Sequence, residues 1–285
     1  MFLVFALAAC SAPAVKREPV TTEAPAWFRG AWKLEWEAAK GQPRSAHRIV
    51  RDLQTPAMFG SFRMNLDRPA FSGVKSFEDL DDAQLAILLR QRGGFAGTAT
   101  FKGDVALWDH EIDFQPPDTA DTAHLKQLTA TTVLEESPEG GRELWWSMSS
   151  GDGKYLAIKV ATGKRTERIL VVVGDHFVYA RNRARDLPRA DSLVALATQT
   201  TATRAQIIEL LDCEVSYGTV RSGRVPWEVR FSTLPWLESK SLEPARSIVI
   251  DASGAPSPRT PTPGWSLVIN TFDPQDLVVL FPPAV

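Results

Sequence analysis

The 285 residues are 44% hydrophobic and 23% charged, which gives enough apolar sequence for a sizeable core in one large or two small domains. A formal net charge of -2 leaves no basic footprint for nucleic acid, so no nucleic-acid partner is expected. Two cysteines, Cys10 and Cys213, exclude a disulfide framework and a Cys-rich metal site, and no stretch approaches the roughly 20 apolar residues of a membrane span.

The chain opens on MFLVFALAAC, an apolar run ending in Leu7-Ala8-Ala9-Cys10 that resembles the lipobox of bacterial lipoproteins. The resemblance implies a signal over residues 1–9, cleavage before Cys10 and lipidation of its sulfur, so that the partner of the N-terminus is a membrane. Ser11, where an Asp would favour inner-membrane retention, implies an outer-membrane anchor facing the periplasm. The other reading is a hydrophobic N-terminal strand in a cytoplasmic protein. Residues 10–26, rich in Pro, Ala, Thr and charge, then read as a tether.

Folded sequence is expected from Trp27. Alternation places Trp32, Leu34 and Trp36 on one face, and strands follow at His47 to Leu53 and Ala57 to Met64. A helix near 79–92 carries acidic residues at its start, Arg90 and Arg92 at its end, and a Gly93-Gly94 stop. A meander of short strands runs from Phe95 to about Arg181, broken by turns such as Gly151-Asp152-Gly153 and Gly174-Asp175. A second helical region near 191–212 separates it from further strands, the last being LVVLF before the terminal prolines. Ser253 to Gly264 is a Pro-rich loop that either covers an opening or stays disordered. Short antiparallel strands joined by tight turns predict a mostly β chain, a single barrel-like domain over 27–285 with helices flanking or plugging it.

Gly103 to Pro117 mixes polar chemistry into an apolar strand. Strict alternation turns Ala106, Trp108, His110, Ile112 and Phe114 one way and Leu107, Asp109, Glu111 and Asp113 the other. His110 is then a titratable group on an inward apolar face, either a ligand-orienting donor, a general base or a haem ligand, or a core histidine bonded to a neighbouring strand. The three carboxylates stand about 7 Å apart, two residues at ~3.4 Å each, and read as a solvated outer face unless other strands bring partners. Arg63, in the phrase FRMNLDRP, either holds a ligand carboxylate or pairs with Asp109 or Asp113. Trp146, with Leu144 and Met148, makes the more apolar face of its strand and is a core filler or a pocket wall. His47, His124 and His176 show no zinc spacing, and no nucleophile elbow, P-loop or dinucleotide fingerprint occurs, so neither a metal nor a cofactor is expected. Cys213, in apolar sequence, reads as an inert buried thiol.

Gly30-Ala31-Trp32 resembles the Gly-x-Trp start of lipocalin barrels. A longer set of phrases is similar to an uncharacterised bacterial family related to calycin-like fungal proteins: Leu53-Gln54-Thr55-Pro56, Phe62-Arg63, Asp67-Arg68-Pro69, Phe95-Ala96-Gly97, Trp108 to Pro116, Asp212-Cys213-Glu214 and Ser232 to Trp236. The resemblance implies a calycin-like antiparallel β-barrel and carries no activity, since relatives in the wider group bind retinoids, lipids or haem and a few are enzymes.

The leading expectation is a membrane-tethered barrel binding a small, largely apolar molecule, with His110 and Arg63 orienting its polar end and Trp108, Phe114 and Trp146 as walls. The second is an enzyme (isomerase, hydratase or hydrolase) using His110 with an acidic partner in the same cavity. The third is an envelope interaction protein with a filled barrel.

Overall fold

The computed structural model describes residues 20–116, 121–148, 153–246, 248–250, 256–258 and 264–281. Eight antiparallel strands close into a barrel in chain order: β2 (Gly30–Ala38), β3 (Arg48–Gln54), β4 (Met58–Asn65), β5 (Gly93–Lys102), β6 (Val105–Asp113), β7 (Asp121–Thr129), β8 (Thr132–Glu136) and β9 (Arg142–Met148). Closure comes from β9 pairing back onto β2, and a short β1 (Val20–Thr21) pairs with the last residues of β5, past the start of β4. This is the closed up-and-down antiparallel barrel that the strand pattern predicts. Closing the sheet removes its free edges.

The meander divides at 149–152, outside the described residues. After it, β10 (Tyr155–Thr162), β11 (Arg165–Val173), β12 (His176–Arg181), β13 (Glu214–Thr219), β14 (Glu228–Ser232) and β17 (Ser266–Asn270) make a separate six-stranded sheet. A small ribbon of β15 (Ile248–Ile250) and β16 (Pro256–Pro258) pairs with neither, and its Ile248 is buried in the core of the six-stranded sheet. Gly174, at φ 57°, turns β11 into β12 with Asp175 in a two-residue hairpin, a left-handed conformation that Gly adopts without a Cβ clash.

The second sheet packs against the outer wall of the barrel. Leu53, Met58, Phe62, Ile112 and Phe114, turned outward from the barrel, share one core with Ile169, Val171, Val173, Val178 and Ala180. The opposite face of that sheet, with Leu170, Val172, Phe177 and Tyr179, is covered by Trp227, Trp265 and the C-terminal helix. Strand β11 is thus buried on both faces, which is why it reads ILVVV without alternation.

Helices α1 (Asp82–Leu89), α2 (Leu193–Gln199) and α3 (Arg204–Leu211) flank the barrel and add Leu85, Leu88, Leu193 and Leu211 to the shared core. Asp81 with Gln84 and Thr203 with Gln206 form reciprocal capping boxes that fix the starts of α1 and α3. A one-turn α4 (Glu243–Arg246) precedes α5 (Pro274–Leu280). The terminal LVVLF, expected as a strand, lies mostly in α5: Asp273 caps the helix and Pro274 occupies its first turn, a start signal that outweighs the β-branched residues after it.

Candidate functional site

The barrel interior has two halves of opposite character. At the end where β2 and β6 begin, Trp32, Phe59, Phe101, Ala106, Trp108, Leu125, Val133 and Trp145 fill the lumen. A helical turn at Ala26–Phe28 stoppers this end. Phe28 stacks on Trp32 at 5.9 Å and meets Trp108 edge-on at 6.4 Å, and the Trp32 indole donates to the Phe28 carbonyl at 2.9 Å. Trp108 is 7% exposed and therefore plugs the barrel rather than lining a pocket.

The same strand faces turn polar at the other end. Asp52 follows Val50 two positions along β3, Arg63 follows Phe59 and Ser61 on β4, and His110 follows Trp108 on β6. Asp121 starts β7, Glu135 ends the inward row of β8 after Val133, and Glu143 precedes Trp145 on β9. The floor between the halves is the Trp145 indole, whose N–H donates to Glu135 at 3.0 Å. Two adjoining cavities open here. The inner one, about 260 Å³, is lined by Arg63, Asp121, Glu135 and Glu143; the outer one, about 740 Å³, by Arg63, Phe95, His110 and Asp121, with Arg90 and Arg92 at its rim.

His110 sits between two carboxylates. Nδ1 lies 2.7 Å from Asp113 and Nε2 lies 3.2 Å from Asp121, while the ring stacks on Phe95 at 3.8 Å. Burial opposes the charge, but the hydrogen bonds and fields of the two carboxylates outweigh it and push the imidazole up to about 9. At neutral pH His110 is therefore an imidazolium with both N–H groups engaged. Acting as a general base or a haem ligand would require breaking one of these bonds; as it stands the ring is a donor.

Strict alternation separates His110 from Asp113, yet the two meet. The reason is a bulge: Gly97 of β5 pairs with His110 but Ala96 pairs with Ile112, so Glu111 is an extra residue and the facing parity flips after it. A Cβ on Gly97 would stand 1.9 Å from the Asp109 carbonyl and 2.8 Å from the Glu111 nitrogen, so only glycine admits this approach. The three carboxylates then have three fates. Asp109 is exposed, Glu111 bonds Lys159 of β10 at 3.0 Å, and Asp113 joins the site.

Arg63 does not pair with Asp109 or Asp113. Its guanidinium lies 3.5 Å from Glu143, 5.0 Å above the Phe95 ring, with Nε donating to Ser61 at 3.3 Å. Surrounding carboxylates outweigh burial and raise its pKa further. Asp52, facing Ser61 across β3 and β4, is pushed up to about 7 by burial, which the Arg63 charge only partly offsets. Burial and the neighbouring Glu143 also raise Glu135 well above the carboxylate range, whereas His110 and Arg63 overcome burial to lower Asp121. Asp52 Oδ1 and Glu143 Oε2 are buried without a hydrogen-bond partner among the described residues.

The remaining sequence-selected residues lie elsewhere. Phe114 is 1% exposed on the outside of the barrel, beyond the bulge, where it packs in the shared core. Trp146 is 42% exposed on the outer wall, and its neighbour Trp145 is the inward ring: the apolar row Leu144-Trp146-Met148 faces away from the lumen. Neither is a pocket wall. Cys213 is buried and its thiol is pushed up to about 11 by burial, an inert group. Cys10 and its lipobox lie outside the described residues, as does most of the Pro-rich loop.

Two sets of residues escaped the sequence reading. Asp52, Asp121, Glu135 and Glu143 are one; their signal is a carboxylate two positions from an inward apolar residue on successive strands. Arg183, 4% exposed, is the other. It donates to the carbonyls of Leu210 (2.6 Å), Asp113 (2.9 Å) and Phe114, tying the end of β6 to the end of α3. Among the described residues no group of three or more His, Cys, Asp or Glu is placed to hold a metal ion.

No protein-family model matches the chain, and no curated protein matches it. Among solved structures it is similar to the uncharacterized protein YLR301w from Saccharomyces cerevisiae, at 11% identity over 85% of this chain and 98% of that one, with a TM-score of 0.49.

Proposed function

We propose that this chain is a small-molecule-binding calycin-like protein, tethered to a membrane through lipid on Cys10, that takes its ligand at the polar mouth of the barrel. The observation that carries this is the pair of adjoining cavities that share Arg63 and Asp121 in their walls, with His110 bonded to Asp121 in the wall of the outer one. A pocket with a few convergent polar groups and perturbed titrations is where a ligand is expected. The tether rests on the apolar run ending at Cys10 and on the Pro-rich stretch after it. The largely apolar ligand expected from sequence finds no room in the sealed half, where rings already fill the lumen. The space that remains is lined by charge, so the ligand favoured here enters polar end first.

The test is a thermal-shift and saturation-transfer NMR screen of small anionic, neutral and cationic compounds at millimolar concentration. Binding should be lost in Arg63→Met and Asp121→Asn and kept in Trp146→Ala, whose ring lies on the outer wall. If no class binds, or if binding ignores the Arg63 and Asp121 substitutions in variants that still fold, the proposal fails.

A further inference from the structure

We infer that the cleft between the barrel and the six-stranded sheet is a second binding site, which takes an oxyanion, a phosphate or a carboxylate, on Lys164, Arg183 and Arg185. The cleft, of about 780 Å³, lies between β6 of the barrel and the β10–β11 hairpin, with the residues that follow β12 closing one side. It shares His110, Asp113 and Gln115 with the outer mouth cavity, whereas Lys159, Lys164, Arg165 and Arg185 line the cleft and not the mouth. A ligand held there does not depend on the mouth being a site.

The charges that line the cleft do not balance. Four carboxylates face it, and three of them are engaged. Glu111, the extra residue of the bulge, accepts from Lys159 at 3.0 Å and from Thr166; Asp186 accepts from Arg165 at 2.8 Å; Asp113 holds His110 at 2.7 Å. These bonds also occupy Lys159, Arg165 and His110, and three cations are left over. Lys164, in the turn between β10 and β11, and Arg185, after β12, are exposed and form no ion pair among the described residues. Arg183 is buried, and its bonds go to the carbonyls of Leu210, Asp113 and Phe114 rather than to a carboxylate. Burial lowers its pKa, and the fields of neighbours such as Asp113 do not offset it. Buried charges are ordinarily paired. Against these three stands one unpaired carboxylate, the exposed Asp109, so the cleft is locally positive in a chain of net charge -2.

Arginine and lysine together suit an oxyanion: a guanidinium offers a fork of donors to two oxygens, and an ammonium adds a mobile point charge. The carbonyl bonds of Arg183 hold its guanidinium in place, which lowers the ordering cost of binding, while Lys164 and Arg185 reach in from separate segments. The Glu111–Lys159 bridge ties the barrel to β10 across the cleft and fixes its width. The volume is in the range of small-molecule sites, and the same unpaired cations disfavour a cationic occupant.

The experiment is calorimetric titration of the folded chain with glycerol 3-phosphate and succinate as anions, glycerol as the neutral match and 1,4-diaminobutane as the cation, all at equal ionic strength. Co-sedimentation with phosphatidylcholine vesicles, with and without phosphatidic acid, tests whether the phosphate belongs to a lipid head group. An anion or the phosphatidic acid vesicles should bind, and Lys164→Gln and Arg185→Gln should each weaken binding about tenfold, the loss of one charge-assisted hydrogen bond. Asp109→Asn removes the unpaired carboxylate and should tighten binding by about twofold to fivefold, the range of an exposed charge pair. Lys126→Gln, the same charge change on β7 outside the cleft, should leave it unchanged. All four side chains are exposed, so these variants should fold. Silence from both anions and the acidic vesicles overturns the assignment, as does equal binding of glycerol or diaminobutane, or an equal loss in Lys126→Gln. Anion binding that is lost in Arg63→Met but kept in Lys164→Gln and Arg185→Gln places the anion at the mouth and also overturns it.

Discussion

Titrating His110 changes the stability of the whole fold. Its folded pKa is raised to about 9 from 6.5, because both ring nitrogens donate to carboxylates that outweigh burial. Below 6.5 the imidazole is charged in both folded and unfolded chains, and the stabilisation is fully present. Between 6.5 and about 9 the folded chain keeps a proton that the unfolded chain has lost, so stability falls with rising pH. At about 1.4 kcal/mol per pKa unit, the loss across this window is about 3 kcal/mol. The groups facing the ring are Asp113 and Asp121, the Phe95 and Phe59 rings and, further off, Asp52 and Arg63. Urea unfolding followed by tryptophan fluorescence at a series of pH values reads the slope, and His110→Gln removes the proton in question. The slope should be present in the natural chain and absent from the variant, and the imidazole NMR titration should have its midpoint well above 6.5. Equal slopes in the two proteins, or a midpoint near 6.5, would refute the bridging assignment.

Three further outcomes follow from particular contacts. Gly97→Ala drives a methyl into the Asp109 carbonyl, so urea unfolding should show a cost of about 1–3 kcal/mol, the range for overpacking, and the His110 NMR signals should shift as the bulge is displaced. Arg183→Met leaves the carbonyls of Leu210, Asp113 and Phe114 without their donor. Each buried acceptor costs about 1–3 kcal/mol, and the same unfolding assay should show a loss near the top of that range or beyond it. In a bacterial host, radioactive palmitate should label the full chain and not Cys10→Ser; equal label in both would sink the lipid anchor.

Much of the fold is legible in the sequence. Alternation over Trp32 and Leu34 and over Ala106, Trp108 and His110, the tight Gly-containing turns and the acid-led helix that ends before Gly93-Gly94 are local physics, set by residues within a few positions of one another. They sufficed for a mostly β chain closed into an antiparallel barrel with helices beside it. His110 and Arg63, both chosen from sequence, do line one cavity. Local pattern misjudged the faces. On β9 the more apolar row, Leu144-Trp146-Met148, is the outer one; only Met148 of it packs against the shared core, and Trp146 stays 42% exposed. The run ILVVV of β11 signals burial on two faces, and a single strand cannot say which neighbours supply them.

What the sequence alone determined, then, is the class of the fold and the presence of polar residues on inward strand faces, because period-two alternation is fixed by the backbone pleat. Which polar residues meet depends instead on how the strands pair. One extra residue opposite Gly97 flips the parity of β6 and turns Asp113 back toward His110, and closure of β9 onto β2 brings Glu143 to Arg63. Both depend on partners in other strands, up to 80 positions away in the case of Arg63 and Glu143, so no window along the chain contains them.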